Sequence, residues 1–105
     1  MLLFLLALYG GPNPATIDQP RRNFAACVKA FEKTSLTAKM MPDDYAKAVR
    51  ASCPGEAAAL KKALVTFDVG MGTKRAAADS NAQTDMEDYF INSEDRYRSS
   101  VILPK

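Results

Sequence analysis

From Phe24 to Cys53 the chain reads FAACVKAFEKTSLTAKMMPDDYAKAVRASC, and these thirty residues decide the fold. Phe24, Cys27, Val28, Phe31 and the later Leu36 recur at three- and four-residue intervals. That spacing places them on one stripe of a helix expected over residues 21–35, with Lys29 and Lys33 on the opposite face. A Ser/Thr-containing stretch then leads into Pro42-Asp43-Asp44. Proline lacks only a donor that a first helical turn leaves unpaired, and acidic side chains favour the positive end of the helix dipole, so a second helix starts there. Its inward stripe is Tyr45, Ala48, Val49 and Ser52-Cys53, and Asp43 and Lys47 form an i,i+4 pair. With the reversal near Met40, Cys27 lies thirteen residues before it and Cys53 thirteen after. In an antiparallel hairpin the two fall at equal height, which a disulfide requires. A Cys27–Cys53 bond is expected, two free core cysteines being the alternative.

Beyond the hairpin, Pro54-Gly55-Glu56 opens a third segment. Ala57, Leu60, Leu64, Phe67 and Met71 continue into Ala78, Ala82, Met86, Tyr89 and Tyr97 as one helical stripe. A continuous helix over residues 54–98 would be about 67 Å long, far more than the hairpin can cover. Two places can bend or break it: Gly70-Met71-Gly72, and the region from Asp79 to Thr84, where Thr84-Asp85-Met86-Glu87 has a capping-box pattern. The expected fold class is all-α, a disulfide-clamped helical hairpin followed by one long, kinked third helix. A clean break giving four helices, with the acidic last helix over the basic hairpin, is the alternative. Residues 99–105 read as an extended tail.

The N-terminal run Met1-Leu-Leu-Phe-Leu-Leu-Ala-Leu-Tyr9, followed by small residues, fits the apolar core of an export signal, although no Lys or Arg precedes it. It is about half the length a membrane-spanning helix needs. Residues 1–15 are therefore expected to be removed on export and residues 16–20 to form a linker. A single helical domain is expected over residues 21–98, periplasmic or secreted, with no stable membrane anchor after processing. A chain of 105 residues has a core of modest size, which a disulfide supplements. The net charge of +2 is too small to indicate nucleic-acid binding. It is unevenly spread: residues 16–75 hold eleven Lys or Arg against six acids, and residues 76–105 hold three against six, so the two parts can attract one another.

The chain has no His, which removes imidazole acid–base chemistry, Ser-His-Asp catalysis and His-ligated zinc. Twenty-five residues between the only two cysteines make neither a redox Cys-x-x-Cys pair nor a four-ligand zinc site. Asp85, Glu87, Asp88, Glu94 and Asp95 lie on a regular helix that cannot converge the six to eight oxygens calcium takes, so a solvated face is expected, with Glu94 pairing Arg98. Lys61-Lys62 and Lys74-Arg75 lack the interleaved aromatics of a nucleic-acid surface. No catalytic residue, cofactor site or metal site is assigned.

Val65-Thr-Phe-Asp-Val-Gly70-Met-Gly-Thr-Lys74 resembles the phosphate-binding hairpin of actin-like ATPases. The resemblance implies Asp68 facing a metal and Gly70, Gly72 and Thr73 facing phosphates. Such ATPases need two large lobes and a second hairpin, which do not fit a chain of this length. The preceding Ala-, Leu- and Lys-rich stretch also favours a helix over a strand. From Phe24 to Arg98, the paired cysteines in short helices and the steps Asp88-Tyr89 and Arg96-Tyr97 resemble small uncharacterised exported helical proteins of the alphaproteobacterial kind. That resemblance implies compartment and fold and brings no activity with it. The chain is expected to be a non-enzymatic binding or structural protein of the cell envelope. It would act through protein–protein contacts, and it is a candidate homo-oligomer. Leu64, Phe67, Met71, Tyr89, Phe90 and Tyr97 are the candidate partner surface, ordinary core packing being their other use. The alternative is a small enzyme or nucleotide binder using Asp68 to Lys74.

Overall fold

The computed structural model describes residues 13–102. Four helices follow in order: α1 (Ala15–Thr37), α2 (Pro42–Val49), α3 (Pro54–Gly70) and α4 (Arg75–Ile102). The third segment is thus broken into two helices. Gly70 ends α3, and the Gly72 backbone, at φ 104°, turns the chain back so that α4 packs along α3. The capping-box pattern at Thr84 starts no helix, because its hydroxyl donates to the Ser80 carbonyl one turn back inside α4.

Cross-links along α4 show how the rods lie. Asp43 meets Arg98, Tyr45 meets Ser93 and Tyr97, Arg50 meets Glu87 and Glu94, and Lys61 meets Gln83. Residue numbers rise through α2 and α3 while they fall on α4, so both helices run antiparallel to it and follow one another along it. On α1 the order rises with α4: Phe24 meets Tyr89 and Phe90, Glu32 meets Ser93 and Arg96, and Ser35 meets Tyr97. In section the protein is a three-rod bundle of α1, α4 and the broken rod α2–α3. Lengths explain the pairing. The 28 residues of α4 span about 42 Å, and α2 and α3, with 8 and 17 residues, span about 37 Å between them before the joint is counted.

The core runs through all three rods. Phe24, Tyr45, Val49, Leu60, Ala78, Ala82 and Tyr97 are almost wholly enclosed, with Ile17, Val28, Leu64, Val65, Met86 and Phe90 beside them. At about 25 cal/mol per Å² of apolar surface removed from water, these side chains supply the main favourable term of folding. The stripe predicted on α1 is displaced by one residue at its end. Ser35 points inward and Leu36 is 39% exposed, because the place inside is taken by Tyr97, whose hydroxyl reaches the Ser35 and Met40 carbonyls.

Both ends of the domain differ from expectation. Residues 16–20 are helical and do not form a linker. The Asn13 side chain accepts a hydrogen bond from the Ala15 amide, and Ile17 reaches the core, so α1 begins six residues early in spite of Pro20. The α4 helix continues through residues 99–102, where an extended tail is expected from sequence; the Ser100 hydroxyl donates to the Arg96 carbonyl within it. Most of the expected export segment, residues 1–12, and the end of the tail, residues 103–105, lie outside the described residues. No described helix is long and apolar enough to cross a membrane.

Candidate functional site

Cys27 and Cys53 are bonded, with Cα atoms 6.2 Å apart. Cys53 lies just before α3, so the bond ties the middle of α1 to the joint where α2 gives way to α3, at the break in the third rod. The Glu56 carboxylate stands near both sulfurs, but sulfurs joined to each other are not thiolate ligands, and the trio makes no metal site.

The segment resembling a phosphate-binding hairpin is a helix C-terminus. The Thr73 amide donates to the Asp68 carbonyl at 2.9 Å and the Gly72 amide to the Val69 carbonyl at 3.0 Å. These paired bonds close α3 around a left-handed residue, the position Gly fills without a Cβ clash. The two amides that would have to hold phosphate oxygens are engaged by the chain itself. Asp68 lies at the end of a helix and not of a strand, with Asn81 as its side-chain neighbour. The same closure recurs at the end of α1, where the Lys39 and Met40 amides bond the Leu36 and Ser35 carbonyls and Lys39 takes φ 59°.

The most elaborate polar arrangement joins α1, α2 and α4. The Tyr45 and Tyr97 rings stack at 3.9 Å, and Phe31 also stacks with Tyr45, at 5.6 Å. Ser93, fully buried, donates to Glu32 Oε2 at 2.8 Å and lies 2.7 Å from the Tyr45 hydroxyl, which is thereby the donor of that pair. Arg96 closes the chain with a 2.6 Å bond to the same Glu32 oxygen. Burial pushes the Tyr45 phenol up to about 12 and raises that of Tyr97 as well, so both stay neutral donors at any ordinary pH. Sequence reading missed Ser93 and Glu32. The signal available was a serine at an inward stripe position, four residues before Tyr97, where a buried hydroxyl needs partners.

The six residues proposed from sequence as a partner surface do not form one. Leu64, Phe90 and Tyr97 belong to the core, and Phe67 and Tyr89 are half-buried against it. Only Met71 is open, at 63% exposure, because α3 stops before it. Folding back gives the apolar stripe of the long segment its own partner, so the stripe is internal. The exposed large apolar side chains lie elsewhere: Val69 and Met71 at the α3–α4 turn, Leu36 and Met41 at the α1–α2 turn, and Ile91 and Val101 on α4. Glu94 pairs with Arg50 and not with Arg98, whose partner is Asp43; Asp43 thus reaches across the bundle instead of along α2 to Lys47. Arg50 draws on both Glu87 and Glu94, as the uneven charge of the two halves suggests, whereas Arg96–Glu32 and Arg98–Asp43 have the reverse polarity.

Two clefts accompany these faces. One, of about 390 Å³ between α3 and α4, is lined by Lys61, Lys62, Arg75 and Asp79 over Val65 and Thr66. The other, of about 220 Å³ between α1 and α4, has Phe24 and Val28 beneath Lys29 and Arg96. Asp85 and Asp88 line a shallow groove with Arg21 and Asn92. Compared with protein-family models, curated proteins and solved structures, the chain matches none of them.

Proposed function

We propose that this protein is a non-enzymatic binding or structural component of the cell envelope or exterior, acting through protein–protein contacts. The observation that carries the reading is the placement of its open apolar side chains. Met41 and Met71 are 65% and 63% exposed at the turns α1–α2 and α3–α4, with the exposed Leu36 and Val69 in the last turns of α1 and α3. Methionine suits such positions, since its unbranched, polarizable side chain adapts to a partner's contour. The disulfide supports a periplasmic or secreted setting, because such bonds form and persist where the surroundings are oxidising. It also makes the bundle a stiff support for those turns.

Photo-crosslinking in the native envelope tests this directly. A photoreactive residue at Met41 or Met71 should yield a discrete adduct of one size, either with another protein or with a second copy of this chain. The same residue at Lys62 should not. Mass spectrometry of the same fraction should find the first ten to fifteen residues removed. Intact chain in the cytoplasm, or identical diffuse crosslinking from all three positions, would defeat the proposal.

A further inference from the structure

We propose that the cleft between α1 and α4 is a binding site for a small monocarboxylate with an apolar body the size of one ring. These two helices run parallel and are held apart by edge-to-face contacts of Phe24 with Tyr89 and Phe90, at 5.4 and 5.7 Å. The space left beside those rings is about 220 Å³, lined by Phe24, Ala25, Val28, Lys29, Tyr89 and Arg96. It is smaller than the ~300 Å³ at which sites for drug-sized molecules begin, which limits the occupant to a single ring or a short chain.

The apolar surface open to the cleft is the half-buried Tyr89 ring and the exposed Ala25 methyl, with Phe24 and Val28 closed off beneath them. Ala25 leaves the wall of α1 open where any longer side chain would fill the cleft. Above this surface the two helices bring cations from opposite sides, Lys29 from α1 and Arg96 from α4. Glu32 fixes Arg96 through one terminal nitrogen at 2.6 Å, and its own carboxylate is further engaged by the Ser93 hydroxyl. The remaining guanidinium N–H groups are thereby oriented without being used. Lys29, Arg96 and Glu32 together carry +1, so one carboxylate leaves the cleft neutral, whereas an amine would add to the excess. A bare inorganic anion would match the charge and leave the half-buried Tyr89 ring and the exposed Ala25 methyl in contact with water. An apolar acid satisfies both parts of the site.

Titration of the full ¹⁵N-labelled chain with phenylacetate, followed by amide chemical shifts, is the test. The expected result is saturable shifts at Ala25, Val28, Lys29 and Tyr89 with Kd on the order of 1 mM or tighter, as suits so small a ligand. Phenethylamine, with the same ring and opposite charge, should cause no saturable shift there. Lys29→Gln should weaken phenylacetate binding roughly two- to fivefold, the range of an exposed ion pair. Ala25→Leu should abolish it while leaving the helical circular-dichroism spectrum unchanged, since Ala25 is exposed and Leu suits a helix. Equal binding of the amine, shifts that do not saturate, or full affinity retained in Ala25→Leu would overturn the assignment.

Discussion

Replacing both Cys27 and Cys53 by Ala opens a loop closed across a sequence separation of 26 residues. In the chain-entropy description a crosslink of that span restricts the unfolded chain by about 3.5 kcal/mol at 25 °C. A domain of this size has a total stability of roughly 5–15 kcal/mol, so the loss is a large share of it. Each kcal/mol moves the melting temperature of a small domain by about 4–8 °C, so the double variant should melt roughly 14–28 °C lower than the wild type. Alanine is the right replacement because Cys53 is only 3% exposed, and a serine would add the separate cost of a buried hydroxyl. Most of the helix should survive at room temperature, since Phe24, Tyr45, Leu60 and Tyr97 still meet across the three rods. Thermal melts by circular dichroism, with the wild type oxidised and reduced beside the variant, measure the effect. Non-reducing peptide mapping establishes that the wild-type bond is present. A fall of less than about 5 °C, with the bond confirmed in the wild type, would refute the loop-closure account.

The buried tyrosines predict alkaline sensitivity. The Tyr45 phenol is held up at about 12 mainly by burial, against 10.0 in the unfolded chain, so its stabilising effect is complete below pH 10 and is lost as the pH rises from there towards 12. Urea midpoints should fall over that range by an amount equivalent to about 2–3 kcal/mol, and by less in Tyr45→Phe; phenolate absorbance that appears without loss of helix would contradict this. Lys39, at φ 59°, lies where a β-carbon is crowded, so Lys39→Gly should stabilise by about 1 kcal/mol, and Gly72→Ala at φ 104° should destabilise by about 1–2 kcal/mol. Denaturant titration measures both, and effects of the same sign would show that the two closures are not equivalent. Calorimetric titration with ATP and magnesium should give no stoichiometric heat, because the Gly72 and Thr73 amides are engaged by α3; submillimolar binding abolished by Gly72→Asp would reverse that conclusion.

The candidate site was legible only in part. Helical spacing identified Phe24, Val28, Leu60, Leu64 and Tyr97 as inward-facing, and the structure encloses each of them. It offered Leu64, Phe90 and Tyr97 as partner surface as well as core, since periodicity marks an apolar face without saying what covers it. It also read Glu94 with Arg98 and Asp43 with Lys47, because neighbours along a helix are the only pairs a sequence displays. The observed pairs, Glu94 with Arg50 and Asp43 with Arg98, join residues 44 and 55 positions apart. The network of Tyr45, Ser93, Glu32 and Arg96 was invisible for the same reason.

By itself the sequence determined the all-helical class, the inward face of most of each segment and the pairing of its two cysteines. All three follow from short-range rules: the helical repeat, proline at a helix start, and two thiols placed symmetrically about one reversal. Tertiary structure alone decided that the long segment breaks after Gly70, that α2 and α3 form a single interrupted rod, and that Met71 is exposed while Tyr97 is enclosed. An unbroken helix would have left about half its apolar stripe in water. Folding back at Gly72 brings Leu60 and Leu64 into one core with Ala78 and Ala82, and burial gained over that whole interface outweighs the helical turns lost at the break.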